Sequence, residues 1–377
     1  MDKKNRCHGL FMSIVTILLL VMATTACERE PDPEDWTFGP FEKPVDVNPV
    51  LTPSTEYAFH CPMRDTLVYW EEMATFNPAA VVKDNKIHVL YRAEDQLGEM
   101  VIGGHTSRLG MMTSEDGLNF TRLEEPVFYP DNDDQKEYEW PGGVEDPRIV
   151  ETEDGLYVMT YTQWNHDTPR LAVATSGDLM TWDKHGPAFK EAYDGKYLDM
   201  HTKAGSIVTR LEGSRMVAEQ INGKYWMYWG VPEVHLATSD DLQNWTPIET
   251  DDGELKSVMT PREGYYDSWL VEPGPPALIT EHGILVIYNA GNDIETGDPD
   301  IPDRMYSAGQ ALYDVNQPER LIARTEEPFV QPDLPFETTG QYEDGTTFLE
   351  GLVYHNGRWF IYYGAADSRV GVLYWDP

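Results

Sequence analysis

Cysteine is scarce in this chain, with three in 377 residues, at positions 7, 27 and 61. Two fall in an N-terminal segment with the marks of a leader. Cys61 therefore stands alone, and neither an intramolecular disulfide nor a cysteine-based metal site is expected. Positive charge is also short. Lys and Arg number 28 against 65 Asp and Glu, a net charge of −37. A phosphate backbone rewards cations, so nucleic acid is excluded as a favourable partner, as is adhesion to an anionic bilayer through surface charge. No stretch sustains a long 3.6-residue apolar period, which argues against a helical protein. The ten histidines show no His-x-x-x-His spacing, so no metal is expected. A phosphate-cradling glycine loop and a Gly-x-Ser-x-Gly nucleophile turn are both missing, and no cofactor is expected. Aromatic residues, in contrast, are plentiful: 21 Tyr, 12 Phe and 11 Trp within a 41% hydrophobic composition. Such a chain can bury a large core, which excludes global disorder.

Residues 1–27 read as an export signal. Lys3, Lys4 and Arg6 make a basic start, Leu10 to Met22 an apolar run, and Ala23-Thr24-Thr25-Ala26-Cys27 a small-residue end. The run is short for a membrane span. Small residues before a Cys resemble a bacterial lipobox, with Thr24 where Leu is usual, and make Cys27 the lipidated residue. The expectation is an exported protein, lipid-anchored in the cell envelope on the periplasmic or surface side of the outer membrane, touching membrane through that anchor alone. The Pro- and acid-rich residues 28–55 read as a solvated tether, and 56–377 as the folded domain.

One unit recurs five times: a Gly or Asn turn followed by a strand rich in aromatic and β-branched residues. The copies begin at Asp84-Asn85, Asp154-Gly155, Asn222-Gly223, His282-Gly283 and Asn356-Gly357, with turn spacings of 70, 68, 60 and 74 residues. A second element, Ser-x-Asp closing on an aromatic, recurs at Ser114 to Phe120, Ser176 to Trp182 and Ser239 to Trp245. It reads as turn chemistry, with the aromatic filling the layer between units. Five units of short strands predict an all-β fold, a five-bladed β-propeller, with a tandem of β-sandwiches as the alternative.

In a propeller the first strand of each blade lines the axis. The segments before the five turns carry Asn77-Pro78, Glu145-Asp146-Pro147-Arg148, Lys203-Ala204-Gly205, Glu272-Pro273-Gly274 and Glu350-Gly351. Five blades thus aim polar groups at one axial pocket, with Asp146, Glu272 and Glu350 as crowded carboxylates. Like charges push one another's pKa values apart, so a neutral acid and an ionised base can coexist there, as glycoside hydrolysis requires. Arg92, Glu94 and Asp95 are either substrate ligands or a salt-bridged turn, and Asp367 is similar. Trp140, Trp164, Trp229 and Trp269 are sugar-stacking candidates or inter-blade core.

Together Asn77-Pro78-Ala79 with Tyr91-Arg92-Ala93-Glu94, Gly143-Val144-Glu145-Asp146-Pro147-Arg148-Ile149, Lys203-Ala204-Gly205, Gly274-Pro275-Pro276 and Tyr363-Gly364-Ala365-Ala366-Asp367 resemble glycoside hydrolase family 130, the β-mannoside phosphorylases and β-mannosidases. The resemblance spans about residues 60 to 375, in order. It implies a propeller acting on β-mannosides with inversion, with Asp146 as general acid, which in the phosphorylases works through a substrate hydroxyl. Phosphorylases of the family typically place His-Arg where this chain has Trp229-Gly230, and a Lys and a Gly where it has Leu270 and Glu272. Lost cations and a gained Glu resemble the hydrolytic branch, whose known members favour β-1,2-mannosides. On this reading Glu272 is the base and Glu233 assists it. Arg92, Asp95, Lys203 and Asp367 hold the terminal mannose, and Asn77, Glu145, Arg148 and Glu350 orient these groups or contact sugar. The expectation is an exo-acting inverting β-mannosidase whose partner is a mannose-containing oligosaccharide or glycan. Arg148 and Lys203 keep a phosphorylase releasing mannose 1-phosphate as one alternative, and a non-catalytic glycan-binding surface lipoprotein is another.

Overall fold

A computed structural model describes residues 36–98 and 102–377. The expected signal and Cys27 lie outside the described residues. Among those described, no helix is long and apolar enough to cross a membrane.

Five antiparallel sheets follow one another along the chain. The first holds β1 (Ala74–Lys83), β2 (Lys86–Gly98), β3 (His105–Ser114) and β4 (Thr121–Arg122). The second holds β5 (Gly143–Glu151), β6 (Tyr157–Trp164), β7 (Arg170–Ser176) and β8 (Asp183–Pro187). The third is built on β9 (Ser206–Glu212), β10 (Lys224–Trp229), β11 (Val234–Ser239) and β12 (Ser257–Met259). The fourth opens with a strand interrupted at Gly274, β13 (Leu270–Pro273) and β14 (Ala277–Thr280), then β15 (Gly283–Gly291), β16 (Tyr306–Tyr313) and β17 (Leu321–Arg324). The fifth holds β18 (Thr347–His355), β19 (Arg358–Ala365) and β20 (Arg369–Trp375).

Period-2 geometry explains why these strands are buried along nearly their whole length. Successive side chains point to opposite faces of a strand, and here each face meets a different neighbour. Ala79 and Leu90 of the first blade join Val144, Met159 and Ala172 of the second, while Ala80, Val89 and Tyr91 join Val353, Phe360 and Tyr362 of the fifth. Val150 and Val158 meet Ile207 and Met227 across the second and third blades. Val208 and Tyr228 meet Ile284 and Val286 across the third and fourth. Leu285 and Ile287 meet Ile361 and Tyr363 across the fourth and fifth. The five apolar layers form a closed ring of five blades, which two separate sandwiches would not produce.

The turns follow the sequence signals. Asp84-Asn85, Asn222-Gly223 and Asn356-Gly357 each carry two positive φ angles, the hairpin turn that suits strand twist. In the three Ser-x-Asp copies the Ser hydroxyl accepts the backbone N–H groups two and three residues on, and the Asp carboxylate accepts the next pair. The closing aromatics fill the layers between blades: Phe120 meets Tyr362, and Trp245 joins the second-to-third layer.

One boundary is corrected. Residues 36–55 are not a solvated tether. Trp36 is buried in the layer between the fourth and fifth blades, Phe38 packs edge-on against Trp359 and Trp375, and Glu42 and Leu51 bridge to β20. The Asn48 side-chain amide bonds the backbone of Val372 in both directions, as a paired strand would. This segment is the outer edge of the fifth blade and protects it from open pairing. The acidic and proline content hid three anchoring apolar residues, Trp36, Phe38 and Leu51.

Trp36→Ala is therefore expected to cost about 3 kcal/mol of stability, the scale of a buried Trp truncation. The unfolding midpoint in urea reads this directly, whereas a tether residue would leave it unchanged.

Candidate active site

The innermost strands deviate from regular pairing where polar residues had been singled out. The ladder slips between Phe76 and Pro78 on β1, between Glu145 and Arg148 on β5, and between Leu349 and Gly351 on β18. These are β-bulges, which re-aim side chains. Pro78 and Pro147 have no N–H to give a ladder. Asn77 and Asp146 take φ values of 45° and 50°, which Asn and Asp tolerate better than most residues. Gly364 on β19 leaves room for this: a Cβ there would fall 2.1 Å from the Asn77 side-chain oxygen.

These residues open onto a cavity of about 290 Å³. All five blades and the loops between them contribute. Asn77, Arg92, Glu94, Glu145, Asp146, Lys203, Glu272 and Asp367 supply the polar lining. Phe76 and Phe348 are buried beside them, while Ile102, Trp164, His201 and Tyr342 are more open to solvent and mark the mouth.

Arg92 is the hub. Its guanidinium lies 2.7 Å from Glu94, 2.8 Å from Glu145 and 3.1 Å from Asp146, and its Nε donates to Ser107 at 3.0 Å. The Phe76 ring lies 4.6 Å from it. Asp146 Oδ1 also accepts the Asn77 amide at 2.8 Å. Lys203 Nζ sits between two carboxylates, 3.8 Å from Asp146 Oδ2 and 3.7 Å from Glu272 Oε1. Gln341 donates to Glu94 at 2.8 Å. Among the described residues no trio of His, Cys, Asp or Glu side chains is placed to hold a metal ion.

These contacts spread the proton affinities. Burial would raise Asp146, but Arg92, Lys203 and the Asn77 amide outweigh it and hold it at about 2. Glu145 is pushed up to about 7, because burial and its neighbours Asp146 and Glu94 outweigh Arg92. Burial also raises Asp367 to about 6, despite Arg92. Glu272 is raised by burial, against the pull of Lys203 and Arg148, and its Oε1 has no hydrogen-bond partner among the described residues. At neutral pH the cluster thus holds an ionised Asp146 beside a Glu145 poised near half-protonation.

Four expected site residues do not line the cavity. Asp95 is fully buried and pairs with Arg108 at 2.8 Å. It follows Glu94 on β2, so strand alternation turns it to the opposite face, and Glu94 takes the cavity side. Arg148 lies beneath the floor. It donates to the carbonyls of Gly274 at 2.7 Å, Pro273 at 2.8 Å and Asp146 at 3.2 Å, and pairs with Glu350 at 3.0 Å. Burial pushes the Glu350 carboxyl well up. These two tie the second, fourth and fifth blades together under the site, so neither offers its charge to a ligand. Glu233 sits in the β10–β11 turn and is not among the lining residues. Arg92 lines the cavity, yet its donors are committed to protein carboxylates.

Of the four tryptophans, Trp164 lines the cavity, Trp140 packs under Arg64 outside its lining, Trp229 is core against Phe189, and Trp269 packs under Arg304. Tyr306, Gln341, Tyr342 and Phe348 reach the cavity from loop or strand-end positions that the sequence did not single out.

The family profile for glycoside hydrolase family 130, described as beta-1,4-mannooligosaccharide phosphorylase, matches residues 48–377. A 1,2-beta-oligomannan phosphorylase of Thermoanaerobacter sp. (strain X514) is 33% identical over 334 residues, 88% of this chain and 95% of that protein. A solved structure of 54% identity, covering 91% of this chain and 95% of its own with a TM-score of 0.90, carries the description "The GH130 family of mannoside phosphorylases contains glycoside hydrolases that target beta-1,2 mannosidic linkages in Candida mannan". A glycosyl hydrolase from Bacteroides ovatus is 54% identical, with 92% and 96% coverage and a TM-score of 0.89.

The cluster makes a pH prediction. A carboxyl raised from 4.5 to about 7 in the folded state binds more protons than in the unfolded chain between those values. Its contribution to stability is therefore intact below pH 4.5 and declines as pH rises to about 7. Glu145→Gln is expected to flatten that decline, read from urea midpoints measured between pH 4.5 and 8.

Proposed function

The chain belongs to glycoside hydrolase family 130, and from that premise we propose that it is an exo-acting β-mannosidase that cleaves β-mannosides, β-1,2-linked ones foremost, by hydrolysis with inversion. The observation that carries hydrolysis is the state of the cations. Arg92 is shared by three carboxylates and Lys203 by two. Partial burial and the Lys203 charge push the His201 pKa down, so it is neutral at pH 7. A phosphate dianion needs an uncommitted cation to offset neighbouring carboxylates, and the described lining offers none.

In this reading Glu272 is the base. Its raised proton affinity suits it to take a proton from water as the water attacks the anomeric carbon. Lys203 orients Glu272 and favours its ionised form, the form able to accept that proton. Asp146 supplies the proton that the leaving oxygen needs, through a sugar hydroxyl as the family resemblance implies. Asp146 is ionised in the free protein, so the proton it passes on must be taken up in the complex, and the protonated form of Glu145, about half the population at neutral pH, is its source, Glu145 being left as a carboxylate paired with Arg92. Asn77 fixes Asp146, and Asp367 and Glu94 accept hydroxyls of the terminal sugar. The substrate is a mannose-containing oligosaccharide or glycan, met by an exported and lipid-anchored protein.

Phosphorolysis is the second reading. The names favour it: the family description and the curated relatives at 26% to 33% identity are all mannoside phosphorylases.

Product analysis decides between them. The soluble chain starting after Cys27 is incubated with β-1,2- and β-1,4-linked manno-oligosaccharides, with and without inorganic phosphate. Free mannose in both conditions is expected. Mannose 1-phosphate formed only with phosphate would establish phosphorolysis, and binding without turnover would establish a glycan-binding protein. Asp146→Asn and Glu272→Gln are each expected to lower kcat by about 10²- to 10⁴-fold, the range for loss of a general acid or base. Full activity in either variant would remove that residue from its role.

A further inference from the structure

The cavity is chemically lopsided. Its carboxylates and both cations gather at the buried end, while Trp164 stands at the mouth with Ile102, Pro169 and Tyr342. Trp164 ends β6, where the ladder to β5 closes at Gly143. Its indole N–H donates to the Gly103 carbonyl at 2.8 Å. Gly142 lies directly against the ring: a Cβ there would come within 2.1 Å of Cδ1 and 2.6 Å of Cγ. Two independent contacts therefore set in place an indole that lines the cavity. His166 flanks it at 5.7 Å between ring centroids. Among the described residues, a half-buried Trp whose only polar atom is satisfied, which lines the cavity and joins none of the five apolar layers, is not core. Trp229 and Trp245, by comparison, are almost fully enclosed.

We infer that Trp164 is the stacking platform for the saccharide ring on the leaving-group side of the scissile bond, a binding position separate from the carboxylate-lined site of the terminal sugar. Sugar rings present apolar C–H faces, and a fixed aromatic ring binds such a face with little entropy lost. The carboxylate end has hydroxyl acceptors in abundance and holds the terminal residue. The mouth has no carboxylate among its described residues, only His201 and the Tyr342 hydroxyl beside Ile102, Trp164 and Pro169, so recognition there rests chiefly on ring contact. This inference rests on the glycosidase reading above.

The test compares two ligands in wild type and Trp164→Ala: a β-1,2-linked mannobiose as substrate, and free mannose as a product inhibitor of the terminal site. The expected result is a fall of about tenfold in kcat/KM for the disaccharide, the scale of one aromatic contact, with the inhibition constant of mannose changed less than about twofold. Trp164→Phe, which keeps a ring, is expected to recover most of the loss. Unfolding midpoints of both variants separate a stacking loss from a folding loss. Equal weakening of both ligands would place Trp164 in the terminal site and overturn the inference, as would an unchanged kcat/KM. Wild-type protein that turns over no mannoside would overturn the glycosidase reading instead. Titration calorimetry with mannobiose and mannose then still reads the platform, since its loss weakens only the disaccharide.

Discussion

Several carboxylates of one sign cannot share a buried cavity unless something cancels their repulsion. Here that task falls to one guanidinium. Arg92 binds Glu94, Glu145 and Asp146 together, and its planar fork lets it do so from a single position. Lysine, a point charge, would not span the three. Everything else in the site follows from this balance. Asp146 is held ionised, Glu145 is left as the proton holder, and the remaining cation, Lys203, is spent between Asp146 and Glu272. The result is a cavity rich in hydroxyl acceptors, in which carboxylates outnumber cations.

The backbone supplies the means. Three of the five innermost strands carry a bulge at the residue that matters: Asn77, the Asp146-Pro147 pair and Glu350. A regular strand would have left those side chains flat against a neighbouring blade. Beneath them Arg148 stitches the carbonyls of Gly274 and Pro273 to Glu350. One layer of charges therefore meets the ligand, and a second, deeper pair holds the blades in register.

Much of this was legible in the sequence, for identifiable reasons. The repeat phase locates the innermost strands, and it points to Asn77, Glu145, Asp146, Lys203 and Glu272, all of which line the cavity. The same phase brought in Arg148 and Glu350, because it places residues near the axis without saying at which depth. Asp95 was chosen over Glu94 as a ligand although strand alternation separates them by a face. Glu233 was inferred from a displaced motif, and the turn carries it away from the cavity. Gln341 and Tyr342 lie in a loop with no periodic signal, and they reach the site only because that loop bonds back to Ala366 and Ser368. Trp36, Phe38 and Leu51 were masked by averaging over an acidic, proline-rich stretch.

The fifth blade is completed by strands from opposite ends of the chain: residues 42–51 form the edge of a sheet whose other strands run from 347 to 375. The cavity likewise draws on residues from Phe76 to Asp367. The ring therefore closes through contacts of very high sequence separation, the kind that form slowly. During synthesis the first four blades exist while Gly364 and Asp367 are still missing, so Asn77 has no seat and the carboxylates no finished frame. Competence at the axis is thus an end-point of assembly. A chain that stalls, or is clipped near either terminus, loses the edge of the same blade, and such damage is felt at the centre of the molecule.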